Sequence, residues 1–158
     1  MLSIQPLTGR HERSVFESGS AQLDAWLRQI ARQHQKRGIS KTFVAVTDDA
    51  PSRVLGYYAL TACEILTEEL PEDLARKLPR NVPGIRLGRL AVDHSVQRQG
   101  LGELLLMDAI ARSKHVLEHV GVHALFVDAK DKPAAGFYRK YGFRPLPSDS
   151  QRLVLPLA

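Results

Sequence analysis

The feature that most constrains this chain is a pair of glycines, Gly100 and Gly102, between a strand pattern and a long apolar helix pattern. Ile85–Val92 predicts the strand, and residues 103–120 predict the helix, which Gly121 ends. The first N–H groups of a helix have no partner within it, and the helix dipole adds positive potential there. Because glycines let a bulky anion approach such groups closely, the junction is a candidate phosphate cradle.

Two common phosphate-binding motifs do not fit this junction. A Walker loop requires Lys and then Ser or Thr after its last glycine, whereas Gly102 is followed by Glu103 and Leu104. A dinucleotide-binding fold requires three spaced glycines after the first strand, and the third is absent here. The spacing alone also permits a plain strand, turn and helix whose glycines serve only packing.

The rest of the chain alternates between strand and helix patterns, which favours a mixed sheet covered by helices. The first helix has Ser20 as its cap and Gly38 at its end. The other predicted helices are Leu70–Leu78, with Pro71 at its first position, and Pro133–Tyr141, which Gly142 ends. The other predicted strands are the hairpin Lys41–Thr47 and Arg53–Thr61, then Val122–Asp128 and Arg152–Leu157, and Asn81–Gly84 is predicted to break the chain.

A chain of 158 residues, 44% of them hydrophobic, predicts one domain over residues 1–158 with a substantial core. Its one cysteine, Cys63, excludes an internal disulfide and lies in an apolar stretch that favours a buried structural thiol. Met1–Arg10 does not resemble a signal peptide, and no stretch approaches the ~20 apolar residues of a membrane span. We therefore expect a cytoplasmic protein with no membrane association.

The junction resembles the Gln/Arg-x-x-Gly-x-Gly/Ala signature of the GNAT acetyltransferases, and the Leu-Ala-Val of the preceding strand fits that family too. The resemblance implies an α/β (α+β) fold, with a central mixed, mostly antiparallel sheet that is splayed at the acetyl-CoA site and flanked by helices. It implies that acetyl-CoA is bound by the strand end and the junction. The implied contacts are Leu90, Ala91, Val92, Gln97, Arg98, Gln99, Gly100, Leu101, Gly102 and, in a later block, Phe137.

Further blocks resemble the GNAT toxins of bacterial toxin–antitoxin pairs, which acetylate the α-amino group of aminoacyl-tRNA. They are Phe16–Leu27, Ser40–Val44, Gly56–Leu60, Val82-Pro83 and Leu87–Asp93. Ser18 departs from the pattern, because cysteine is frequent there, and the tail after Leu155 is short. The resemblance implies aminoacyl-tRNA as substrate, a ribbon-helix-helix antitoxin as partner, and a homodimer.

Acetyl transfer requires a neutral amine, a polarised thioester carbonyl and a proton for the departing thiolate. An α-amino group has a pKa of about 8, so a neutral fraction exists without a strong base, whereas a lysine amine at about 10.4 needs more help. The resemblance implies that Tyr138 is the general acid and that the backbone N–H of Val92, or of a neighbour, polarises the carbonyl. A core role is the alternative for Tyr138.

The formal charge of +5 favours a polyanionic partner. The basic residues are interpreted either as a solvated face or as a surface that tracks tRNA phosphates. The candidates near the first helix are Arg28, Arg32, Lys36, Arg37 and Lys41, and those on the strand before the cradle are Arg86 and Arg89. Trp26 shares an apolar stripe with its neighbours, so we expect it in the core.

Several other groups carry weaker hypotheses. Asp93 either caps the turn or accepts an amine proton, and capping is favoured. His94 and His123 are minor candidates for a general base. No cluster of His, Cys and Asp shows metal-ligand spacing, so no metal is predicted.

Two functions besides the toxin hypothesis stay open at this point. A GNAT enzyme for a small amine, or for a protein or peptide amine, would share the acetyl-CoA site and differ at the acceptor face. A non-catalytic acyl-CoA-binding regulator would keep the cradle without transferring the acetyl group.

Overall fold

The computed structural model describes residues 1–158, and a seven-stranded sheet runs through it in the order β1-β2-β3-β4-β5-β7-β6. The pairs β1–β2, β2–β3, β5–β7 and β6–β7 are antiparallel and the pair β4–β5 is parallel, so the sheet is mixed and mostly antiparallel as expected. The strands are β1 (Leu2–Pro6), β2 (Lys41–Thr47), β3 (Gly56–Leu66), β4 (Asn81–Val92), β5 (Ala124–Asp128), β6 (Arg144–Leu146) and β7 (Asp149–Pro156). The helices are α1 (Ala21–Gln29), α2 (Ala31–Lys36), α3 (Glu72–Ala75), α4 (Leu101–Leu117) and α5 (Lys132–Lys140), with short 3₁₀ turns at Thr67–Glu69 and His94–Val96.

The chain divides into two compact units, one made of residues 1–61 and 88–110 and the other of residues 62–87 and 111–158. In the first unit, α1 packs its apolar side on β2 and β3 through Trp26, Leu27, Val44 and Tyr57, all buried. In the second unit, the core includes Ile65, Leu70, Val82, Phe126, Leu146 and Val154.

The first helix begins where the sequence predicts but is interrupted. Ser20 Oγ accepts a hydrogen bond from the Leu23 N–H at 3.3 Å, which confirms it as the cap. Ile30 leaves helical geometry, with φ −119° and ψ −38°, and divides the predicted helix into α1 and α2. Gly38 follows with φ +71° and ends α2, as predicted.

The predicted break at Asn81–Gly84 is wrong, because these residues form the start of β4. Gly84 pairs with Ala124 of β5, and a Cβ added at Gly84 would lie 2.4 Å from Phe126 Cε2. Glycine is therefore present so that the Phe126 ring can pack directly on the strand. Pro83 is tolerated because it lies near the strand's beginning and still accepts a hydrogen bond from the His123 N–H at 2.9 Å.

Other element boundaries also differ from the prediction. The predicted helix Leu70–Leu78 is reduced to α3, with Pro71 before its first residue, because Lys77 adopts φ +63° and turns the chain. β3 continues to Leu66 rather than ending at Thr61. The helix after the cradle begins at Leu101, two residues earlier than predicted, and ends at Leu117.

None of the helices combines the length and the hydropathy that a membrane-spanning helix needs. Cys63 is only partly buried, which corrects the expectation of a buried thiol. It packs against the core of the second unit, and burial raises the pKa of its thiol despite the opposing effect of the nearby Arg86.

Candidate active site

The junction between β4 and α4 has the backbone geometry of an anion cradle. Arg98 and Gly100 both have positive φ, at +65° and +86°, and the residues from Gln97 to Gly100 are exposed. Leu104 N donates to Gly100 O at 3.2 Å, so Gly100 opens the helix. The first helical N–H groups, from Leu101 onwards, therefore come before the helical hydrogen-bond ladder and face the exposed turn.

The strand end that leads into the cradle extends beyond its parallel partner. The register of β4 with β5 ends at the pair Leu87 and Val127. Leu90, Ala91 and Val92 follow that last pair, and Leu90 and Val92 are partly exposed while Ala91 is buried. The backbone of this strand end can therefore pair with an extended ligand, as the acetyl-CoA hypothesis requires.

Gly56 at the start of β3 brings the cradle helix close to the sheet. A Cβ at Gly56 would lie 2.9 Å from Leu105 Cδ1, 3.1 Å from Ala91 O and 3.3 Å from Leu101 Cδ2. Only a residue without a side chain allows α4 and the end of β4 to approach β3 at this point. The sequence pattern placed Gly56 in one of the toxin-like blocks but did not explain why a glycine is needed there.

Asp93 caps the turn after β4 and is not placed as a base. Its Oδ1 accepts from the Glu17 N–H at 2.9 Å, and its Oδ2 accepts from Ser95 N at 3.1 Å and from Ser95 Oγ at 2.6 Å. Burial acts to raise the pKa of Asp93, but these hydrogen bonds outweigh it and lower the pKa. The carboxylate therefore stays ionised as an acceptor, and the favoured capping interpretation is confirmed.

Gln97 uses its side chain to hold the turn together. Its Nε2 donates to Ser18 O at 2.7 Å and to Val92 O at 2.9 Å. The side chain thus fastens the end of β4 to a segment that precedes α1. Sequence reasoning placed Gln97 among the acetyl-CoA contacts but did not find this internal role, since Ser18 is 79 residues away.

Tyr138 lies on α5 in the second unit and is held by aromatic contacts. The helix begins at a cap where Asp131 Oδ1 accepts from Ala134 N at 2.9 Å. The Tyr138 ring meets Phe137 edge to face at 5.3 Å and Phe143 at 5.5 Å. Burial raises the pKa of Tyr138 well above its ordinary value, so the phenol keeps its proton at neutral pH.

Phe137 and Tyr141 complete this aromatic cluster. Phe137 is partly exposed and contacts Tyr141 edge to face at 5.2 Å. Phe137 therefore presents part of its ring to the surface while the rest fixes Tyr138. Tyr141 packs at the end of α5 against Phe137.

Two of the predicted basic residues already have partners within the protein. Arg28 Nη1 donates to Phe16 O at 2.9 Å, and Arg86 forms an ion pair with Asp128 at 2.7 Å in the second unit. Both guanidinium groups are thus engaged by the protein itself. The exposed members of the set are Lys36, Arg37 and Lys41, and Arg32 is partly buried.

Arg89 has the most defined environment of the basic residues. Its guanidinium carbon lies 5.1 Å from the centroid of the Trp26 ring, and Arg89 Nη1 donates to Gly88 O at 3.0 Å. Trp26 is itself stacked on Tyr57 with ring centroids 6.0 Å apart, and the Tyr57 hydroxyl donates to Leu23 O at 2.7 Å. Trp26 is a core residue, as predicted, and also supports a half-buried cation.

The histidines considered as bases lie in different surroundings. His94 is exposed, and its Nδ1 is 3.1 Å from Glu17 O. His123 is partly exposed, and its backbone N–H is used to bond Pro83. A cluster that sequence reasoning missed lies at and beyond the end of α4, where ligand atoms of His115, Glu118 and His119 are within 4.8 Å of one another on the surface. The available signal was the spacing of Glu118 and His119, three and four residues after His115 at the end of α4.

Residues 39–145 match the acetyltransferase (GNAT) domain family. Over 140 residues, the chain is 38% identical to a tRNA-acetylating toxin of Mycobacterium tuberculosis, an alignment that covers 89% of this chain and 82% of that protein. The region that matches the family contains β2 to β5, and with them the cradle and the Tyr138 helix.

Solved structures match over nearly the whole chain. AtaT complexed with acetyl-methionyl-tRNAfMet matches with a TM-score of 0.92 at 30% identity, covering 99% of this chain and 95% of that chain. A mutant AtaT toxin bound to the C-terminus of the antitoxin AtaR and acetyl-CoA matches with a TM-score of 0.83 at 28% identity, covering 99% and 93%. The fold expected from the resemblance is thereby confirmed.

Proposed function

The chain belongs to the GNAT acetyltransferase family, and from that premise we propose that it is a toxin that moves the acetyl group of acetyl-CoA to the α-amino group of an aminoacyl-tRNA. The likeness over most of its length to a protein that acetylates tRNA is the observation that carries this proposal. An acetylated α-amino group cannot act as the nucleophile in peptide-bond formation, so translation is blocked.

The cradle supports acetyl-CoA as the donor through its positive-φ turn. Arg98 and Gly100 turn the backbone so that N–H groups of the exposed junction are available to the pyrophosphate, and the α4 dipole adds to the attraction. Leu90, Ala91 and Val92 would pair with the pantetheine arm through their main chain. Gln99, Leu101 and Gly102 complete the proposed cofactor set, together with Gln97 and Phe137.

The reaction forms one bond and breaks one bond. The neutral amine nitrogen attacks the thioester carbonyl carbon, the C–N bond forms, and the C–S bond breaks. The nitrogen loses a proton, and the CoA thiolate gains one. Because an α-amino group has a pKa of about 8, the neutral amine is present at cellular pH, and the reaction needs no dedicated strong base.

We propose that Tyr138 donates a hydrogen bond, and then its proton, to the departing CoA thiolate. Its burial and raised pKa keep the hydroxyl protonated and able to donate a hydrogen bond. A phenol with a raised pKa is a weak acid, so it stabilises the developing thiolate first by donation and releases its proton late. Its edge-to-face contacts with Phe137 and Phe143 hold the ring in one orientation.

We propose Arg89 as the leading contact to tRNA. The Arg89 guanidinium lies over the Trp26 ring and Arg89 stays partly exposed, which suits contact with a base or pairing with a phosphate. Arg32, Lys36, Arg37 and Lys41 are proposed to add attraction to the phosphate backbone. Arg28 and Arg86 are proposed as weaker contacts, because Phe16 O and Asp128 already engage their guanidinium groups.

The proposal extends to partners and location. A ribbon-helix-helix antitoxin is the proposed regulator, since an AtaT toxin is bound to a piece of its antitoxin AtaR. We also propose a homodimer within the cytoplasm, where charged tRNA and acetyl-CoA are available. Light scattering of the purified chain tests the dimer directly.

The test of function is acetyl transfer from labelled acetyl-CoA to total charged bacterial tRNA. Label on the aminoacyl-tRNA supports the proposal, and the labelled amino acid identifies the preferred substrate. Label on free amines or peptides alone would instead support an acetyltransferase for a small amine or for a protein or peptide amine. Acetyl-CoA binding with no transfer to any acceptor would favour the non-catalytic regulator.

A further inference from the structure

The segment Phe16–Ser18 is hydrogen-bonded on one side to α1. Asp24 Oδ1 accepts from Ser18 Oγ at 2.6 Å, and both carboxylate oxygens of Asp24 lie 3.1 Å from the Ser18 N–H. Arg28 Nη1, one turn along the same helix, donates to Phe16 O. Two charged side chains of α1 therefore face this segment rather than solvent.

On its other side, the same segment is hydrogen-bonded to the turn between β4 and α4. Glu17 N donates to Asp93 Oδ1 at 2.9 Å, and Glu17 O accepts from His94 N at 2.7 Å. Ser18 O accepts from Gln97 Nε2 at 2.7 Å. The segment therefore bridges α1 and the cradle turn.

Within this bridge, Asp24 is the residue that depends most on its hydrogen bonds. Its carboxylate is buried, with a relative exposure of 5%, and a buried carboxylate needs hydrogen-bond donors to offset its lost hydration. The donors that it has are the hydroxyl and the N–H of Ser18. Since movement of Ser18 would leave the charge uncompensated, Asp24 holds Ser18 in one position.

The fixed Ser18 carbonyl in turn determines where the Gln97 side chain lies. Gln97 Nε2 bonds Ser18 O and Val92 O together, and Val92 is the last residue of β4. If Ser18 is displaced, Gln97 loses one of its two acceptors, and the end of β4 loses a restraint. Hydrogen bonds thus lead from the buried carboxylate on α1 to the backbone of the cradle.

We propose that Asp24 is a positioning residue for the acetyl-CoA site, acting through Ser18 and Gln97 on the backbone at Val92. The inference rests on the proposed function only in taking the β4–α4 junction as the acetyl-CoA site. It does not depend on the identity of the acceptor. Asp24 itself is buried, and its carboxylate contacts Ser18.

The test is acetyl-CoA binding to the full chain, measured by titration calorimetry without any acceptor. Asp24→Ala is expected to raise the Kd for acetyl-CoA about tenfold, because one charge-assisted contact ceases to restrain the cradle. Ser18→Ala, which keeps the backbone contacts, is expected to raise the Kd about threefold, and it serves if Asp24→Ala does not fold. An unchanged Kd in both variants would overturn the proposal.

A double-mutant cycle separates positioning from general destabilisation. If Asp24 acts through Gln97, then Asp24→Ala adds little to the Kd of Gln97→Ala, whereas independent effects would multiply. Gln35→Ala is the matched control, because its side chain bonds Leu7 O and Thr42 N in the same unit. This control is expected to lower the Tm with no change in the Kd. Multiplying effects, or an equal rise of Kd in Gln35→Ala, would contradict the proposal.

The binding assay also distinguishes this inference from the proposed function. Wild-type protein that binds acetyl-CoA but acetylates no aminoacyl-tRNA would remove the proposed substrate and leave the Asp24 test intact. A normal transfer rate, together with an unchanged Kd for acetyl-CoA in Asp24→Ala and Ser18→Ala, would keep the proposed function and remove the positioning role of Asp24.

Discussion

The guanidinium of Arg89 lies over the face of Trp26, 5.1 Å from the ring centroid, at a point where the Arg89 side chain is only partly buried. A cation held on an aromatic face keeps its planar orientation without an ion-pair partner. The outer side of the guanidinium thus stays available to a ligand.

Arg89 variants test this arrangement through the acceptor. Arg89→Lys keeps the charge but loses the planar stack, and Arg89→Ala loses both. We expect the KM for aminoacyl-tRNA to rise severalfold in the first variant and about tenfold in the second, while the Kd for acetyl-CoA stays unchanged. Steady-state kinetics at two salt concentrations measure both effects, and Arg89→Ala should reduce the salt slope by about one. Lys114→Ala, an exposed cation on α4, is the control, and an equal effect there would refute the role of Arg89.

Tyr138→Phe tests whether the Tyr138 hydroxyl donates to the departing CoA thiolate. Phenylalanine fits the aromatic cluster with Phe137 and Phe143, so the fold and acetyl-CoA binding should be preserved. The loss of the hydroxyl should lower kcat by about 10²- to 10⁴-fold. Rapid-quench measurement of labelled aminoacyl-tRNA reports kcat directly. Tyr141→Phe, three residues along, should retain activity, and equal losses in both variants would assign Tyr138 to packing.

Alkaline pH should destabilise the fold through two buried phenols. Burial raises the pKa of both Tyr57 and Tyr138 in the folded state above the ordinary tyrosine value of about 10. The folded chain thus holds these protons longer than the unfolded chain, so their contribution is fully present below about pH 10 and is lost as the pH rises further. Guanidinium denaturation at about pH 8 and about pH 11 should show a smaller loss in Tyr57→Phe than in wild type. An identical loss would contradict the assignment.

Gly56→Ala should disturb the packing of α4 on the sheet. The new methyl would lie 2.9 Å from Leu105 Cδ1 and 3.1 Å from Ala91 O, and the backbone atom cannot yield as a side chain can. We expect the free energy of unfolding to fall by about 1–3 kcal/mol, with weaker acetyl-CoA binding. Urea denaturation and calorimetry measure the two effects.

The control for this substitution is Gly136→Ala. Gly136 is exposed on α5, and an added Cβ meets no atom within 4 Å. Alanine there should stabilise the helix by about 0.5–1 kcal/mol, because it restricts the unfolded backbone. A loss of stability at Gly136 comparable with that at Gly56 would show that the predicted overlap is not the cause.

The parts of the fold that sequence predicts best are those with strong local signals. Residues close together in the sequence specify each of three such features, namely the Ser20 cap, the strand β2 and the glycine junction before α4. Two strands were not predicted, β1 because the alternation in Leu2–Gln5 is only four residues long and ends at Pro6, and β6 because it has only three residues. Both acquire their structure from the strands beside them, which local periodicity does not report.

The sequence predicted which segments form the candidate site, but it did not predict which side chains contact one another there. The cradle and Tyr138 were found by motif, since glycine spacing and an aromatic block are visible in the chain. Arg28 and Arg86 were assigned to tRNA, yet their partners Phe16 and Asp128 lie 12 and 42 residues away in sequence. A charged side chain looks the same in sequence whether it meets solvent or a distant carbonyl.

The bridge between Phe16–Ser18 and the cradle turn has a consequence for how the chain acquires its activity. Its hydrogen bonds join residues 76 and 79 positions apart, so they close late, after β2 and β3 have formed their local hairpin. During synthesis, a chain that has not yet reached Gln97 cannot close them. If the bridge positions the cradle as proposed, the chain reaches its full affinity for acetyl-CoA only after synthesis has passed Gln97 and the bridge has closed.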